Sequence, residues 1–427
     1  MSPSTTRDPS LPGRVRTLLR GSAGIAVAIA VMNIATYGFQ IIAARILGPS
    51  DYGAIASLMA VLMVMAVLQL GLQATAARRI AGQPDHVGQI ELGALRVTYR
   101  AAAVLGVLML VLAPVMWKLL RLDGIAPALL LAVAAVPLTI MGGQAGILQG
   151  ERRWVPLALV YLGVGVPRLA FGTLCMLISP TETSAMLGVT IGLWVPVITG
   201  WYALRSGRAP GESSEEHRAR PMAREAIAAS FALLGFLVLS NADVIVARNV
   251  LDEHDAGLYA GGLILTKAVL FLPQFVVVIA FPSMSTVEAR RSTLVRSLTL
   301  VFGMGVVGTL GAWLLSGLAL VFVGGSAYDD VQSHLWMFAV LGTVLSMLQL
   351  VVYSVLARRG TRSAYLVWVG LLVLLATAVH ADTVEQLVVT VTCVDAVLFG
   401  VLLATSLWRL REPASVSGFV PAATEPD

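Results

Sequence analysis

The chain has 427 residues, of which 57% are hydrophobic and 12% are charged, and its formal net charge is +5. Soluble globular domains are roughly 45–50% apolar and about 25% charged, so this composition excludes a soluble protein and indicates one that crosses a membrane repeatedly. Its two cysteines, Cys175 and Cys393, both lie within apolar runs, and no disulfide framework is expected.

The apolar runs define twelve candidate membrane spans, because a spanning helix needs roughly 20 apolar residues. In chain order they cover residues 22–44, 53–75, 95–117, 126–148, 154–178, 183–204, 226–248, 257–281, 295–320, 332–356, 363–380 and 384–408. The predicted fold class is therefore an all-α polytopic membrane protein without a large soluble domain.

The basic residues give the orientation of these spans through the positive-inside rule. Of the 29 Lys and Arg, 23 fall in the N-terminal arm, in the loops that follow every second span and in the tail. The opposite side holds four, namely Arg45, Lys118, Arg121 and Arg248. Both termini are therefore predicted to be cytoplasmic. The same distribution makes the positive charge a topology signal and not a surface for nucleic acid.

Two landmarks recur along the chain at nearly the same offset. AARILGPSDYG at 43–53 returns as ARNVLDEHDAGLY at 247–259, and the predicted connection GGQAGILQGERRWVP at 142–156 returns as SVLARRGTRSAY at 354–365. Each half then holds six spans, and because six is even both halves enter the membrane in the same direction. We expect two six-helix lobes related by a pseudo-twofold axis along the membrane normal, with a central cavity between them.

The composition of the connecting segments divides the chain further. We expect a cytoplasmic arm at 1–20, an N-lobe at 21–204, a cytoplasmic linker at 205–223, a C-lobe at 224–409 and a cytoplasmic tail at 410–427. The linker is polar and rich in Gly, Pro and Ser, which is typical of a connection between domains.

Polar side chains cluster on the first two spans. Asn33, Tyr37 and Gln40 share one face of span 1, and Gln69 and Gln73 share one face of span 2, because residues three or four apart lie on the same side of a helix. They would either tie neighbouring helices together or line a hydrated cavity. The sequence leaves both interpretations open.

Four ionisable side chains fall well inside spans, where each costs roughly 2.5–3.5 kcal/mol on insertion scales and needs a partner, water or a function. They are Arg168, Asp243, Lys267 and Asp395. The two cations would bind an anionic headgroup such as a phosphate or pyrophosphate. Asp243 with nearby Asn241, and Asp395, would bind a proton, a sodium ion or an organic cation. Alternatively, the four charges form structural salt bridges with one another.

Motifs of enzymatic chemistry are missing from the sequence. It contains no Walker sequence, no nucleophile elbow and no His, Cys and Asp cluster with the spacing of metal ligands. The acidic cluster at 252–255 is better explained by helix capping in a turn than by a catalytic site acting on a lipid carrier. We therefore expect no enzyme, no metal site and no cofactor.

Several of these stretches also resemble a known family. RILGPSDYG at 45–53, GLQATAARRIA at 71–81 and LQGERRW at 148–154 resemble the polysaccharide biosynthesis or oligosaccharide flippase family. NADVIVARNVLDEHDAGLYAGG at 241–262 resembles the opening of the family's second half. The family belongs to a superfamily that also contains MATE multidrug exporters and lipid II flippases. The resemblance implies two lobes, alternating access and export of an undecaprenyl-linked sugar across a bacterial inner membrane.

Two departures guide the choice within this superfamily. Span 1 offers Asn33, Tyr37 and Gln40, whereas prokaryotic MATE exporters often carry an acidic ion site there. Lipid II flippases usually have fourteen helices and a strongly cationic cavity, whereas this chain has twelve candidate spans and two buried cations. Both the drug exporter and the lipid II flippase are therefore less favoured.

The preferred hypothesis is a flippase or exporter of a lipid-linked oligosaccharide or polysaccharide precursor. In this hypothesis Arg168 and Lys267 bind the pyrophosphate. The sugars, or the opposite lobe, are contacted by Gln40, Gln69 and Gln73, together with Asn33 and Tyr37. The ion-coupling residues would be Asp243, Asn241 and Asp395. The alternatives are a cation-coupled drug or metabolite antiporter and a non-transporting membrane scaffold for envelope assembly. The expected partners are the lipid-linked glycan, membrane lipid and a glycan polymerase or glycosyltransferase, with no nucleic acid.

Overall fold

The computed structural model describes residues 22–205, 219–280, 287–356 and 361–409. The predicted arm at 1–20, residues 206–218 of the predicted linker and the predicted tail at 410–427 lie outside the described residues.

The described residues form α-helices joined by short links, and they contain no strand. The helices are α1 (Ser22–Gly82), α2 (Val87–Leu119), α3 (Ala126–Gly150), α4 (Trp154–Ile178), α5 (Glu182–Leu204), α6 (Ala219–Val250), α7 (Glu253–Ala280), α8 (Val287–Leu314), α9 (Ser316–Val323), α10 (Leu335–Leu356), α11 (Thr361–Ala378) and α12 (Val384–Arg409). Short 3-10 turns cover Pro84–His86 and Ser326–His334.

Helix α1 is two membrane-length limbs joined at Gly48. The backbone of Gly48 has φ 72° and ψ 178°, in the left-handed region that glycine adopts without a steric penalty. Pro49 follows and cannot donate the hydrogen bond that would continue the first limb. Counting the limbs separately gives the twelve predicted spans, with α9 as a short additional helix. Over the described residues, nine helices, α1 counted once, are long and apolar enough to cross a membrane.

The fold confirms the prediction of two helical lobes. In the N-lobe α1 packs on α3 and α4, α2 packs on α3, and α5 packs on α4. In the C-lobe α10 packs on α7, α8 and α12, while α11 packs on α6 and α12. The lobes meet where α1 lies against α6 and α7. We call the end of the molecule that carries Gly48 and the α6–α7 turn the hairpin end, and the other end the linker end.

The glycines of the 142–156 stretch belong to a helix and not to a connection. Helix α3 continues to Gly150, so the link to α4 contains only residues 151–153. A Cβ on Gly142 would lie 2.5 Å from the carbonyl oxygen of Gln69, and one on Gly146 would lie 2.5 Å from that of Gln73. The stretch therefore lets α3 approach the backbone of α1, as small residues do between membrane helices.

A cleft between the lobes and the charges around it

A cleft lies where both limbs of α1 face α6 and α7. It is narrow, with a cavity volume of about 10 Å³, and is lined by Phe39, Gln40, Tyr52, Ile55, Ala56, Met59, Val244, Ala260, Leu263 and Lys267. Most of the lining residues are apolar, and the polar ones are Gln40, Tyr52 and Lys267. Gln40 belongs to the N-lobe and Lys267 to the C-lobe, so the cleft presents one predicted binding residue from each side.

Asp243 lies directly behind the cleft wall, next to Val244 on α6. Its side chain is 3% exposed. One carboxylate oxygen accepts a hydrogen bond from the backbone N–H of Val244 at 2.9 Å, and the other accepts one from the Tyr259 hydroxyl at 3.0 Å. Lys267, two turns beyond Tyr259 on α7, interacts electrostatically with the Asp243 carboxylate. Asp243 is thus held by α7 from within the C-lobe.

Asp395 on α12 joins the same region of the C-lobe. It is 1% exposed, and its Oδ1 atom has no hydrogen-bond partner among the described residues. Its charge interacts with that of Asp243. A buried carboxylate without a donor is strongly unfavourable, so such a group is either protonated or balanced by a cation. Two of the predicted ion-coupling residues are therefore brought together, although α6 and α12 are far apart in sequence.

The third predicted ion-coupling residue, Asn241, forms hydrogen bonds within its own helix. Its amide nitrogen donates to the carbonyl oxygen of Leu237 at 2.9 Å and to the Ser240 hydroxyl at 3.2 Å. These contacts keep the side chain on its own helix.

Arg168 lies in the N-lobe on α4, and it is not among the residues that line the cleft. Its Nε atom is buried without a partner among the described residues. Gly165 and Gly172, on either side of it, lie against Met32 and Phe39 of the first limb of α1. Arg168 is therefore level with the middle of that limb.

Lys267 lies at a similar depth in the opposite lobe, because Tyr37 of the first limb donates a hydrogen bond to the carbonyl oxygen of Ile264, one turn before it. No ion pair found in the described part of the chain joins Arg168 or Lys267 to Asp243 or Asp395. The alternative prediction of direct salt bridges among these four residues is therefore not seen in this geometry.

The predicted polar residues of the first two spans take different places. Tyr37 bonds the two lobes to each other, and Gln40 faces the cleft. Gln73 donates to the Gln149 amide oxygen at 2.9 Å and to the Tyr161 hydroxyl at 2.8 Å, which ties α1 to α3 and α4. Gln69 is buried against α3, and Asn33 is half-buried on the first limb. Contact of Gln69 and Gln73 with a sugar stays a prediction.

Contacts at both ends of α6 were not foreseen from the sequence. At the linker end Glu225 pairs with Arg79 at 2.8 Å and with Arg78, both on the second limb of α1. Burial acts to raise the pKa of Glu225, but the hydrogen bonds and charges of the two arginines outweigh it and hold the pKa below its ordinary value. At the hairpin end the side chain of Arg248 is buried among N-lobe carbonyls. The sequence marked these arginines only as topology signals.

Together the two lobes and the many apolar helices define a two-lobed, multi-pass membrane protein. Residues 18–288 match the profile of the polysaccharide biosynthesis protein family, so the chain belongs to that family. No curated protein matches the chain in sequence.

The solved structures that the chain resembles include transporters of the MOP superfamily. An inward-facing multidrug-resistance MATE transporter aligns with a TM-score of 0.71 at 14% identity, over 90% of this chain and 94% of that one. An outward-facing multidrug-resistance MATE transporter aligns with 0.62 at 15% identity, over 92% and 95%. A Pyrococcus furiosus superfamily transporter, described as having reversed polarity in its binding pocket, aligns with 0.65 at 14% identity, over 92% and 95%. At these identities the likeness establishes the two-lobed fold.

Proposed function

We propose that the chain is a flippase or exporter that moves a lipid-linked oligosaccharide or polysaccharide precursor across a bacterial inner membrane by alternating access. Membership of the polysaccharide biosynthesis protein family supports the glycan class. The observation that carries the proposal is the presence of a lysine, Lys267, among the residues that line the cleft between the lobes. A lysine at that depth needs an anion. The Asp243 carboxylate interacts with it from behind the cleft wall, and the pyrophosphate of a lipid-linked saccharide is the proposed second anion, on the cleft side.

In the proposed binding mode, different residues along the cleft contact different parts of the substrate. Lys267 holds the pyrophosphate through its ammonium donors, and Gln40, opposite it, bonds sugar hydroxyls through its amide. Arg168 lies at a similar depth in the N-lobe and meets the pyrophosphate when the lobes rock apart. The apolar walls accept the first part of the lipid chain. Asn33, Tyr37, Gln69 and Gln73 position the helices of the N-lobe around this path, and Asp243 and Asp395 hold the coupling ion.

The proposed organisation follows the sequence boundaries and places both termini in the cytoplasm. The arm is 1–20, the N-lobe 21–204, the linker 205–223, the C-lobe 224–409 and the tail 410–427. In this orientation the hairpin end faces outwards, because the cation-poor segments lie there. The chain acts as a transporter and not as an enzyme, and a glycan polymerase or glycosyltransferase is its proposed partner.

The test is transbilayer movement of an undecaprenyl-pyrophosphate-linked saccharide in proteoliposomes that contain the full chain. We expect Lys267→Gln and Arg168→Gln to abolish movement at unchanged protein incorporation. Lys118→Gln is the matched control, because Lys118 is an exposed cation near the end of α2. Movement at the control rate in both the Lys267→Gln and Arg168→Gln variants would contradict the headgroup role.

A cation-coupled drug or metabolite antiporter is the second candidate, favoured by the buried pair Asp243 and Asp395 with its unpartnered oxygen. It predicts efflux of a cationic dye driven by a sodium or proton gradient and lost in Asp243→Asn. Dye efflux that survives this substitution would count against the ion site, and no dye efflux from the wild type would reject the antiporter.

A further inference from the structure

At the hairpin end, Arg248 of the C-lobe donates hydrogen bonds to three backbone carbonyls of the N-lobe. Its Nε atom bonds the carbonyl oxygen of Leu120 at 3.1 Å, one terminal nitrogen bonds that of Ser50 at 3.3 Å, and the other bonds that of Arg121. The Arg248 side chain is 3% exposed, although it is charged. One residue therefore joins α6 to the end of α2 and to the turn within α1.

The N-lobe also donates hydrogen bonds to the C-lobe at this contact. Arg121 donates to the carbonyl oxygens of Leu251 at 3.2 Å and Asn249 at 3.1 Å, while the Asn249 amide donates to the carbonyl oxygen of Leu119 at 2.9 Å. Helices α2 and α6 both end here, and the last carbonyls of a helix have no partner within it. A cation at that end is also favoured by the helix dipole. Each helix thus caps the C-terminus of the other across the boundary between the lobes.

The contact has a counterpart on the other side of the pseudo-twofold axis. Arg45 and Arg248 hold corresponding places in the repeated stretches, 203 residues apart. Arg45 belongs to the N-lobe and donates to the carbonyl oxygen of Val321, in the last turn of α9 in the C-lobe. Beside it the Tyr328 hydroxyl donates to the carbonyl oxygen of Ala44 at 3.4 Å. Each lobe therefore has an arginine, at corresponding places in the repeat, that caps the end of a helix in the other lobe.

Carboxylates surround the more deeply buried of the two arginines. Glu253, Glu182, Asp123 and Asp51 all interact electrostatically with Arg248. They come from the α7 start, the α5 start, the α2–α3 link and the α1 turn. A guanidinium that leaves its three carbonyls therefore remains in the field of carboxylates on both lobes, which reduces the free-energy cost of separating the lobes.

We propose that Arg45 and Arg248 form the gate at the hairpin end, and that the lobes separate there by exchanging carbonyl acceptors for the neighbouring carboxylates and water. In the proposed orientation this is the outer gate. Arg121 and Asn249 complete the closed state. The gate concerns the motion of the two lobes and does not depend on which substrate the cleft carries.

The experiment measures opening by cysteine labelling of the full chain in lipid nanodiscs, without substrate. The background replaces Cys175 and Cys393 by alanine. The gate reporter is Ala256→Cys, whose site is 0% exposed beside the contact between the lobes, and the core reporter is Ala339→Cys, 0% exposed inside the C-lobe. A hydrophilic maleimide reaches the gate reporter only when the hairpin end opens, whereas it reaches the core reporter only when the C-lobe unfolds.

In Arg248→Gln, and in the double variant Arg45→Gln/Arg248→Gln, we expect the maleimide to label the gate reporter roughly tenfold faster. The substitutions remove hydrogen bonds that exist only in the closed state, so they destabilise the closed state relative to the open one. The core reporter stays protected. Lys118→Gln is the matched control, since it removes a positive charge near the end of α2 and should leave labelling unchanged. Gate labelling in both variants at the control rate would overturn the proposal.

General unfolding of the Arg248→Gln variant would show as labelling of both reporters. Arg121→Gln then decides the matter, because the Arg121 side chain is exposed and its loss leaves the core intact. Faster labelling of the gate reporter alone supports the gate, and labelling at the control rate rejects it. Since no substrate is present, failure here leaves the export proposal standing, and failure of export leaves the gate standing.

Discussion

Gly53 and Gly257 touch each other at the hairpin end, and each ends a corresponding four-residue stretch in its own repeat, SDYG in the first and HDAG in the second. A Cβ on Gly53 would lie 3.2 Å from the Cα of Gly257, and one on Gly257 would lie 2.0 Å from the carbonyl oxygen of Pro49. Corresponding positions of two repeats meet only close to the axis that relates them. The glycine pair therefore marks the pseudo-twofold axis between the lobes.

This contact predicts an asymmetric effect of adding one methyl group. Gly257→Ala should lower stability by about 1–3 kcal/mol, because its Cβ would overlap the backbone of Pro49, which cannot move aside like a side chain. Gly53→Ala should cost less, since its nearest atom is 3.2 Å away. Thermal unfolding of the purified variants measures both. Gly400→Ala is the control, because nothing lies within 4 Å of its Cβ position, and a Gly257→Ala midpoint equal to the control would contradict the contact.

The packing of α3 on α1 predicts a second site of overpacking. In Gly146→Ala the new methyl would lie 2.5 Å from the carbonyl oxygen of Gln73, and the helices would have to separate. We expect a loss of about 1–3 kcal/mol and a weakened bond from Gln73 to Tyr161. Gly311→Ala, with open space at its Cβ position, should unfold like the wild type or slightly later. If Gly146→Ala matched Gly311→Ala, the close approach of the two helices would be wrong.

The ion pairs of Glu225 with Arg78 and Arg79 predict a pH-dependent link at the linker end. The folded pKa of Glu225 is lower than the unfolded value of about 4.3, so its stabilisation is fully present above that pH. It is lost as the pH falls through the lower, folded pKa. Glu225→Gln should therefore cost at most about 1 kcal/mol at pH 7 and nothing in strong acid.

Thermal unfolding of the wild type and of Glu225→Gln across that pH range measures the difference. The control is Asp382→Asn, an exposed acidic residue just before α12. If the difference in stability between the wild type and Glu225→Gln persisted unchanged below the folded pKa of Glu225, the ionised carboxylate would not be its cause.

The unpartnered oxygen of Asp395 predicts an unusual gain of stability. Asp395→Asn removes a buried carboxyl whose Oδ1 atom has no hydrogen-bond partner among the described residues, so in choline chloride the variant should be as stable as the wild type or more so. Sodium chloride should stabilise the wild type if the site binds Na⁺, and should leave the variant unchanged. Asp382→Asn, at an exposed position, is the control. If sodium chloride stabilised the wild type and Asp395→Asn equally, Asp395 would not be part of a sodium site.

Part of the candidate site could be predicted from the sequence, because a charge inside an apolar run stands out without any structure. Asp243, Lys267 and Asp395 were found in this way and do come together, and Gln40 does face the cleft. Tyr259, which holds Asp243, was missed because a tyrosine in a membrane helix is ordinary. The sequence could not tell that the Gln73 side chain bonds within its own lobe, because one face of a helix can have neighbours from either lobe.

The sequence by itself determined the number of spans, the break at Gly48-Pro49 and the two repeated halves. These properties depend on local hydropathy and backbone chemistry, which each stretch carries wherever it is placed. Only the tertiary structure decided what Arg45, Arg121 and Arg248 bind. Their acceptors are backbone carbonyls, which every residue possesses, so no side chain in the sequence marks them. Which carbonyls lack a partner depends on where helices end and which lobe lies opposite, and that is fixed by packing alone.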